Sequence, residues 1–517
     1  MGDLGIWRLA EADPERLALV GPDGTERTAG QLLATANQVA NGLRALGLTT
    51  GDTVALLLPN SIELIEIYLG ALQVGLYVTP INFHLVGPEV AYILTDTEAK
   101  AFIASDRFAE VAVNAVTEAG FPADASFSVG TIAGFRPVAE LTDGQPTTAP
   151  EGRTTGAAMH YTSGTTGRPK GVKRGLFEID PSDMGELMTM LPGLFGVGAK
   201  DDHVHLTVSP LYHTAVLMWT GCALHLGHTV VLMDKWTGEE TLRLIDTYKV
   251  TYSHMVPTQF VRLLDLPEET RAKYDVSTLR NMIHGAAPCP QEVKHNMIDW
   301  WGDTIQEYYA ATEGGGTIIT AKEWQAKPGS VGLPWPGSEI RIYDDEANQL
   351  GVGEIGTVYM SLSLSDFEYK GDSAKTKANR IGNFFTVGDL GELDADGYLF
   401  LRDRKSDMII SGGVNIYPAE TESVLLQHPM VGDCAVFGIP DEAMGEAIKA
   451  AVQPAEGAVA GPELEALLIA HCQENLAKYK VPRSIDFLDD FPRDPSGKVY
   501  KRTLRDPYWA GRSSQLV

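Results

Sequence analysis

Apolar residues in the first hundred positions change period more than once. Over residues 32–48, Leu32, Val39, Leu43 and Leu46 fall on one helical face, and Gly47 can end that helix. Residues 54–58 then form a short continuous apolar run, the mark of a buried strand. Asn60 with Glu63 has the spacing of a capping box and opens an apolar helix through Ala71. Residues 77–81 predict another strand. Helix, strand, helix, strand is the rhythm of an α/β fold with a largely parallel sheet. It returns in the short apolar runs 204–208, 229–233 and 250–255.

Further on the rhythm breaks. Residues 141–156 are rich in Thr, Gly and Pro and predict a surface loop. Residues 343–356 mix acidic residues and glycines between strand-like pieces, the pattern of a β-rich subdomain. From Asp394 a hairpin-like turn leads into a strand, and residues 407–517 predict a small α+β unit. The chain shows no internal repeat and no low-complexity segment.

Composition narrows the class. The 517 residues are 44% hydrophobic and 21% charged, as expected of a soluble globular protein. Lys plus Arg number 41 and Asp plus Glu 68, so the net charge is −27. A protein that tracks nucleic-acid phosphates carries a basic stripe, and this balance argues against that class. The four cysteines (Cys222, Cys289, Cys434, Cys472) show no CxxC spacing, which points to a reducing compartment. No signal peptide and no apolar run of membrane-spanning length is visible, so the expectation is a cytoplasmic enzyme.

The densest chemistry lies between Tyr161 and Gly171. Thr162, Ser163, Thr165 and Thr166 supply hydroxyls, Gly164, Gly167 and Gly171 allow close backbone approach, and Lys170 adds a charge. Such a loop suits phosphate oxygens. It is not a Walker A loop: the fifth residue after Gly164 is Pro169, and Gly171 follows Lys170 where Ser or Thr is required. Nor does Ser163 sit in G-x-S-x-G.

This segment closely resembles the phosphate-binding loop of the adenylate-forming superfamily, which includes acyl-CoA synthetases, luciferases and peptide-synthetase adenylation domains. Further matches follow in the family's order. Residues 210–214, with His213, are similar to the motif bordering the acyl pocket. Residues 284–288, with Gly285, Ala286 and Ala287, resemble the loop that packs on adenine. Residues 308–313 resemble Y-G-x-T-E, which implies that Tyr309 stacks on adenine, Thr312 contacts phosphate and Glu313 holds Mg²⁺; Ala310 stands where glycine is usual. Asp389 and Arg404 match the ribose-binding pair. Ser406 falls at the usual hinge, where Asp or Lys is commoner. Gly412 and Gly413 are similar to the glycines of the pantetheine tunnel. Lys498 matches the lysine that bridges carboxylate and α-phosphate.

The resemblance covers essentially the whole chain and implies a fold and a reaction. The fold is α/β. A large N-terminal domain, residues 1–405, is built of αβαβα sheet subdomains plus a β-rich subdomain. A small mobile α+β C-terminal domain, residues 406–517, carries the lysine and the thioester-forming face. The implied reaction is ATP-dependent acyl-CoA synthesis through acyl-AMP, with ATP, Mg²⁺ and coenzyme A. The overall look is similar to bacterial fatty-acyl-CoA synthetases. Met- and Leu-rich residues 184–195 suit an apolar guest, so a medium- or long-chain fatty acid, or a bulky apolar acid, is expected. An aryl acid, transfer to an amine and a non-catalytic binding protein remain as alternatives. A homodimer and peripheral membrane contact are compatible with the chain.

The implied substrates are polyanions, so Lys170, Arg404, Lys498 and Mg²⁺ must offset the acidic bulk locally. Residues 493–505 hold Arg493, Lys498, Lys501, Arg502 and Arg505 against only Asp494, a positive patch that is either a solvated basic helix start or a site for CoA phosphates.

Overall fold

The computed structural model describes residues 2–162, 170–199, 202–310, 315–362, 367–369, 379–405, 407–411, 414–441, 444–493 and 499–510. The chain divides into two compact units. One comprises Met1–Met255, Asp265–Ile283 and Ser365–Ala378; the other comprises Val256–Leu264, His284–Leu364 and Asn379–Val517.

The first unit holds two parallel sheets. One runs in the order Arg136–Pro137, Ser126–Val129, Ala101–Ser105, Thr53–Leu57, Tyr77–Pro80, Ala157–Ala158, with every pairing parallel. All five residues of Thr53–Leu57 are buried. Helices cover both faces of such a sheet, so its central strands need no polar alternation. The other sheet contains Tyr252–Met255, Val204–Thr207, Thr229–Leu232 and Leu17–Val20 in parallel, and Glu26–Thr28 turns back antiparallel at its edge. The predicted strands are therefore present within a residue or two.

Two local expectations are corrected. The helix Ala29–Ala45 buries Leu32, Val39 and Leu43, but Leu46 is its C-terminal cap and is exposed. The cap of the helix Ile62–Leu72 is Ser61, whose hydroxyl accepts the Leu64 N–H at 3.3 Å. Asn60 is buried and used elsewhere.

The second unit is built mostly of antiparallel strands. Ile305–Ala310 pairs with Gly316–Thr320, which pairs with Leu333–Pro334. A six-stranded sheet includes Ser338–Tyr343, Gly356–Leu362, Asp389–Leu393 and Leu399–Arg404. The β-rich region expected at residues 343–356 is the connection between two of these strands, Ser338–Tyr343 and Gly356–Leu362, and the strand expected after the turn at Asp394 is Leu399–Arg404. The last part is the small α+β unit. Its five strands include the long hairpin Val431–Asp441 with Gly445–Pro454. The helices Pro418–Leu425 and Pro462–Asn475 bury Leu425, Leu464, Leu468 and Cys472 into one core with Val436, Ile448 and Val452.

No helix among the described residues is long and apolar enough to cross a membrane.

Candidate active site

The second unit brings three expected nucleotide-binding residues together. Along Ile305–Ala310 the first four residues are buried, while Tyr309 and Ala310 emerge to half burial. Asp389 opens the strand Asp389–Leu393, and Arg404 ends the neighbouring strand Leu399–Arg404. The antiparallel register sets Asp389 directly opposite Arg404.

The Tyr309 hydroxyl donates to Asp389 Oδ2 at 2.6 Å, and Arg404 Nε lies 3.4 Å from Asp389 Oδ1. The aspartate is buried, whereas about half of the arginine side chain is exposed. A carboxylate held by a phenol on one side and a guanidinium on the other is oriented before any ligand arrives. Each of its oxygens can accept a further hydrogen bond, as two vicinal hydroxyls require.

The loop after the strand Asn281–His284 packs against the strand that carries Tyr309. A Cβ on Gly285 would stand 2.8 Å from the Tyr308 carbonyl oxygen, so only glycine fits there. Ala286 takes a φ of 68°, a left-handed conformation that a Cβ disfavours. Ala310, where glycine is usual in the family, does not have a positive φ, so its methyl group imposes no backbone strain.

Behind this loop lies a buried ionic pair, Lys294 with Glu307. The Lys294 ammonium also sits 4.9 Å from the centre of the Trp324 ring. Burial raises the Glu307 pKa against the pull of Lys294. Removing either partner would leave a lone buried charge beneath the loop.

The first unit holds the other described candidates. Thr162 ends the strand His160–Thr162, Lys170 begins Lys170–Arg174, and the two face each other in antiparallel register. The strands on either side of residues 163–169 are thus paired. His213 caps the helix Thr214–Leu226, and its ring lies 4.4 Å from that of Tyr212. Tyr212 in turn meets Phe83 edge-on at 5.1 Å, and its carbonyl contacts His160 Nδ1 at 3.1 Å.

A residue that the sequence suggests as a helix cap organises this segment instead. The Asn60 side-chain amide donates to the carbonyls of Ser209, at 2.9 Å, and Met233, at 2.8 Å. Its oxygen accepts the Leu211 N–H at 2.8 Å. Asn60 thereby ties the segment that leads to His213 to the chain after the strand Thr229–Leu232. A lone Asn before a helix looks like a cap in sequence, and only the fold shows where its amide points.

Ser163, Gly164, Thr165, Thr166, Gly167, Thr312, Glu313, Ser406, Gly412, Gly413 and Lys498 lie outside the described residues. Their flanks are described. Ser411 pairs with Val414 on either side of the two glycines. Arg493 bridges Val499, and the Tyr500 N–H donates to the Pro492 carbonyl at 2.7 Å, closing the base of the segment that carries Lys498.

The expected positive patch is largely neutralised. Arg493 pairs with Asp433, and Lys501 Nζ is 2.7 Å from Glu422 Oε1. Arg502 and Arg505 share Asp506, at 3.0 and 3.9 Å. The carboxylates come from outside the 493–505 window, so a count within that window missed them.

Two parallel sheets, an antiparallel unit that holds the Asp389 carboxylate between Tyr309 and Arg404, and an appended α+β unit make up the architecture of an adenylate-forming enzyme. The comparisons agree. Residues 6–363 match the family described as AMP-binding enzyme, and residues 420–498 match the AMP-binding enzyme C-terminal domain. The chain belongs to the AMP-binding enzyme family. It is 33% identical to a fatty acid–[acyl-carrier-protein] ligase of Streptomyces coeruleorubidus, over 96% of this chain and 94% of that one. It is 32% identical to a long-chain-fatty-acid–CoA ligase of Mycobacterium tuberculosis, over 98% of both. Among solved structures, an anthranilate CoA ligase in complex with anthranoyl-AMP superposes with a TM-score of 0.85 at 27% identity, covering 98% of each chain. The enzyme class is that of the AMP-forming acid–thiol ligases.

Proposed function

We propose that the chain joins a medium- or long-chain fatty acid, or another bulky apolar acid, to coenzyme A. The oriented Tyr309–Asp389–Arg404 cluster carries this reading, because its fixed carboxylate can accept from the two hydroxyls of a ribose. The likeness to the long-chain-fatty-acid–CoA ligase supports the acid.

In the first step a carboxylate oxygen of the acid attacks the α-phosphorus of ATP. The bond to the β-phosphate oxygen breaks, and pyrophosphate leaves. Two anions must meet, so charge compensation and alignment supply most of the catalysis. In this reading Lys498 spans the carboxylate and α-phosphate, the 162–170 loop with Lys170 holds the other phosphates, and Arg404 and Asp389 fix the ribose. Glu313 would hold Mg²⁺, a hard cation suited to a carboxylate and phosphate oxygens, which supplies further charge neutralisation.

In the second step residues 406–517 turn about Ser406, withdraw Lys498 and present Gly412 and Gly413. The thiol sulfur attacks the acyl carbon, the C–O bond to AMP breaks, and the thiol proton goes to solvent. His213 borders the acyl chain.

A carrier protein's thiol is the second reading, favoured by the likeness to the fatty acid–[acyl-carrier-protein] ligase. Pyrophosphate release over a panel of fatty, aryl and polycyclic acids tests the first step. Product analysis with CoA, a pantetheinylated carrier protein or an amine tests the second. A CoA thioester is expected, while an amide or a carrier-bound product alone would replace that part of the reading. No pyrophosphate with any acid would leave a binding protein. Lys498→Ala should abolish adenylation yet form thioester from supplied acyl-AMP; equal loss of both steps would remove Lys498 from its assigned role.

A further inference from the structure

Lys501 lies three residues beyond Lys498, at the start of the helix Lys501–Trp509. Its ammonium is not offered to solvent. It is 2.7 Å from Glu422 Oε1, and the two side chains are only 21% and 17% exposed. That oxygen also accepts the Val436 N–H at 2.6 Å, so Glu422 is fixed from two sides.

Glu422 belongs to the helix Pro418–Leu425, whose first turn carries Ala419. The Ala419 N–H donates to Asp403 Oδ2 at 2.9 Å. The other oxygen of Asp403 accepts the N–H of Arg404 at 2.7 Å. One carboxylate therefore joins this helix to the backbone of the residue that faces Asp389. An unbroken path runs from Lys501 through Glu422, the helix turn and Asp403 to Arg404 and Asp389.

Charge gives the path its sensitivity. Burial pushes the Asp403 carboxyl up to about 6, and Lys501 is the foremost group opposing that rise. Burial also disfavours the charge on Lys501, but Glu422 and Asp403 together hold its pKa above the ordinary lysine value. Without the ammonium the Asp403 pKa would rise further, and a protonated carboxyl gives up acceptor capacity at Ala419 or Arg404.

We propose that Lys501 is a positioning residue of the nucleotide site: through Glu422 and Asp403 it holds the strand end that presents Arg404 to the ribose. This rests on the reading of Asp389 and Arg404 as the ribose site. It replaces the expectation that Lys501 binds CoA phosphates.

The test uses the full chain with Lys501→Met, Asp403→Asn and Lys501→Arg. Calorimetric titration with ATP alone gives a Kd that does not depend on knowing the acid. Lys501→Met and Asp403→Asn should each weaken ATP five- to twenty-fold (about 1–2 kcal/mol). Lys501→Arg should recover most of the loss, and the double variant should be no worse than the poorer single one. Where pyrophosphate release has identified an acid, its KM and that of the thiol should stay within twofold. A merely structural lysine would lower the melting temperature without this selectivity. ATP Kd unchanged within twofold in folded Lys501→Met and Asp403→Asn overturns the proposal. So does an equal rise in the KM for CoA, or a wild type that binds no ATP. A wild type that binds ATP but releases no pyrophosphate sinks the proposed function and leaves this inference to the Kd values.

Discussion

Asp389 shows how much a single carboxylate depends on its two holders. The Tyr309 hydroxyl is its closest described donor, at 2.6 Å. Tyr309→Phe keeps the ring for stacking and removes only that bond. A hydrogen bond to a charged group contributes about 1.5–3 kcal/mol, of which Arg404 should recover part, so the KM for ATP should rise roughly 5- to 10-fold with the acid's KM unchanged. Steady-state kinetics with each substrate varied in turn would show it, and an unchanged ATP KM would remove Tyr309 from the ribose site. Asn60 is the contrasting residue, because it touches no proposed substrate. Asn60→Ala strands one N–H and two carbonyls in a buried place. At about 1–3 kcal/mol for each unsatisfied group, less whatever relaxes, a loss of roughly 2–4 kcal/mol is expected. Chemical denaturation would measure it; a loss below about 1 kcal/mol would mean that water replaces the amide.

At the scale of elements, the decisive fit is between the 284–287 loop and the strand Ile305–Ala310. Gly285 leaves no room for a methyl group beside the Tyr308 carbonyl, and the neighbour is backbone, which cannot swing away. Gly285→Ala should displace either the loop or the strand that carries Tyr309. Nucleotide affinity should fall at least tenfold (about 1.4 kcal/mol), read as the Kd for ATP. A variant with wild-type affinity would mean the loop shifts without reaching the site. The sequence marks this loop only by its resemblance to one that packs on adenine. The structure adds a reason internal to the protein: Gly285 is small because Tyr308 is close. Element boundaries were legible wherever burial was one-sided or complete, as in Thr53–Leu57. They failed at Leu46 and Asn60, where a tertiary contact or a neighbouring hydroxyl decided the cap.

Among the described residues of the first unit, burial holds the histidines His160, His205, His225, His228 and His254 neutral. Burial lowers His160, His225 and His228 to about 4, and His205 and His254 to about 3. An unfolded chain protonates each of them below its ordinary value of 6.5, while the folded chain does not. Their contribution to stability is therefore complete above pH 6.5 and is lost as pH falls toward the folded values, by up to about 1.4 kcal/mol per pH unit for each histidine. The melting temperature should fall steeply from about pH 6.5 to about 4.5. His205→Phe should fall less over that interval, since its ring already packs 4.6 Å from Tyr252. A flat profile in the wild type would contradict the burial of these rings.

Composition, hydrophobic period and ordered motifs were sufficient for the α/β class, the appended α+β unit, the family and the acidic balance of −27. Those properties follow from local residue order, because periodicity and turn chemistry act over a few neighbours. Partners distant in sequence were beyond that reach. The Asp389–Tyr309 bond joins residues 80 apart, and Asn60 reaches residues about 150 positions away. Lys501 is the sharpest case. In sequence it is one cation in a basic run, and in the fold it is half of a partly buried pair with Glu422. Charge along a chain is a count, whereas charge in a folded protein depends on what lies within a few ångströms and how much water remains there. Only the tertiary structure brings the charges of Glu422 and Asp403 to Lys501, and so turns an apparent anion site into one side of an ion pair.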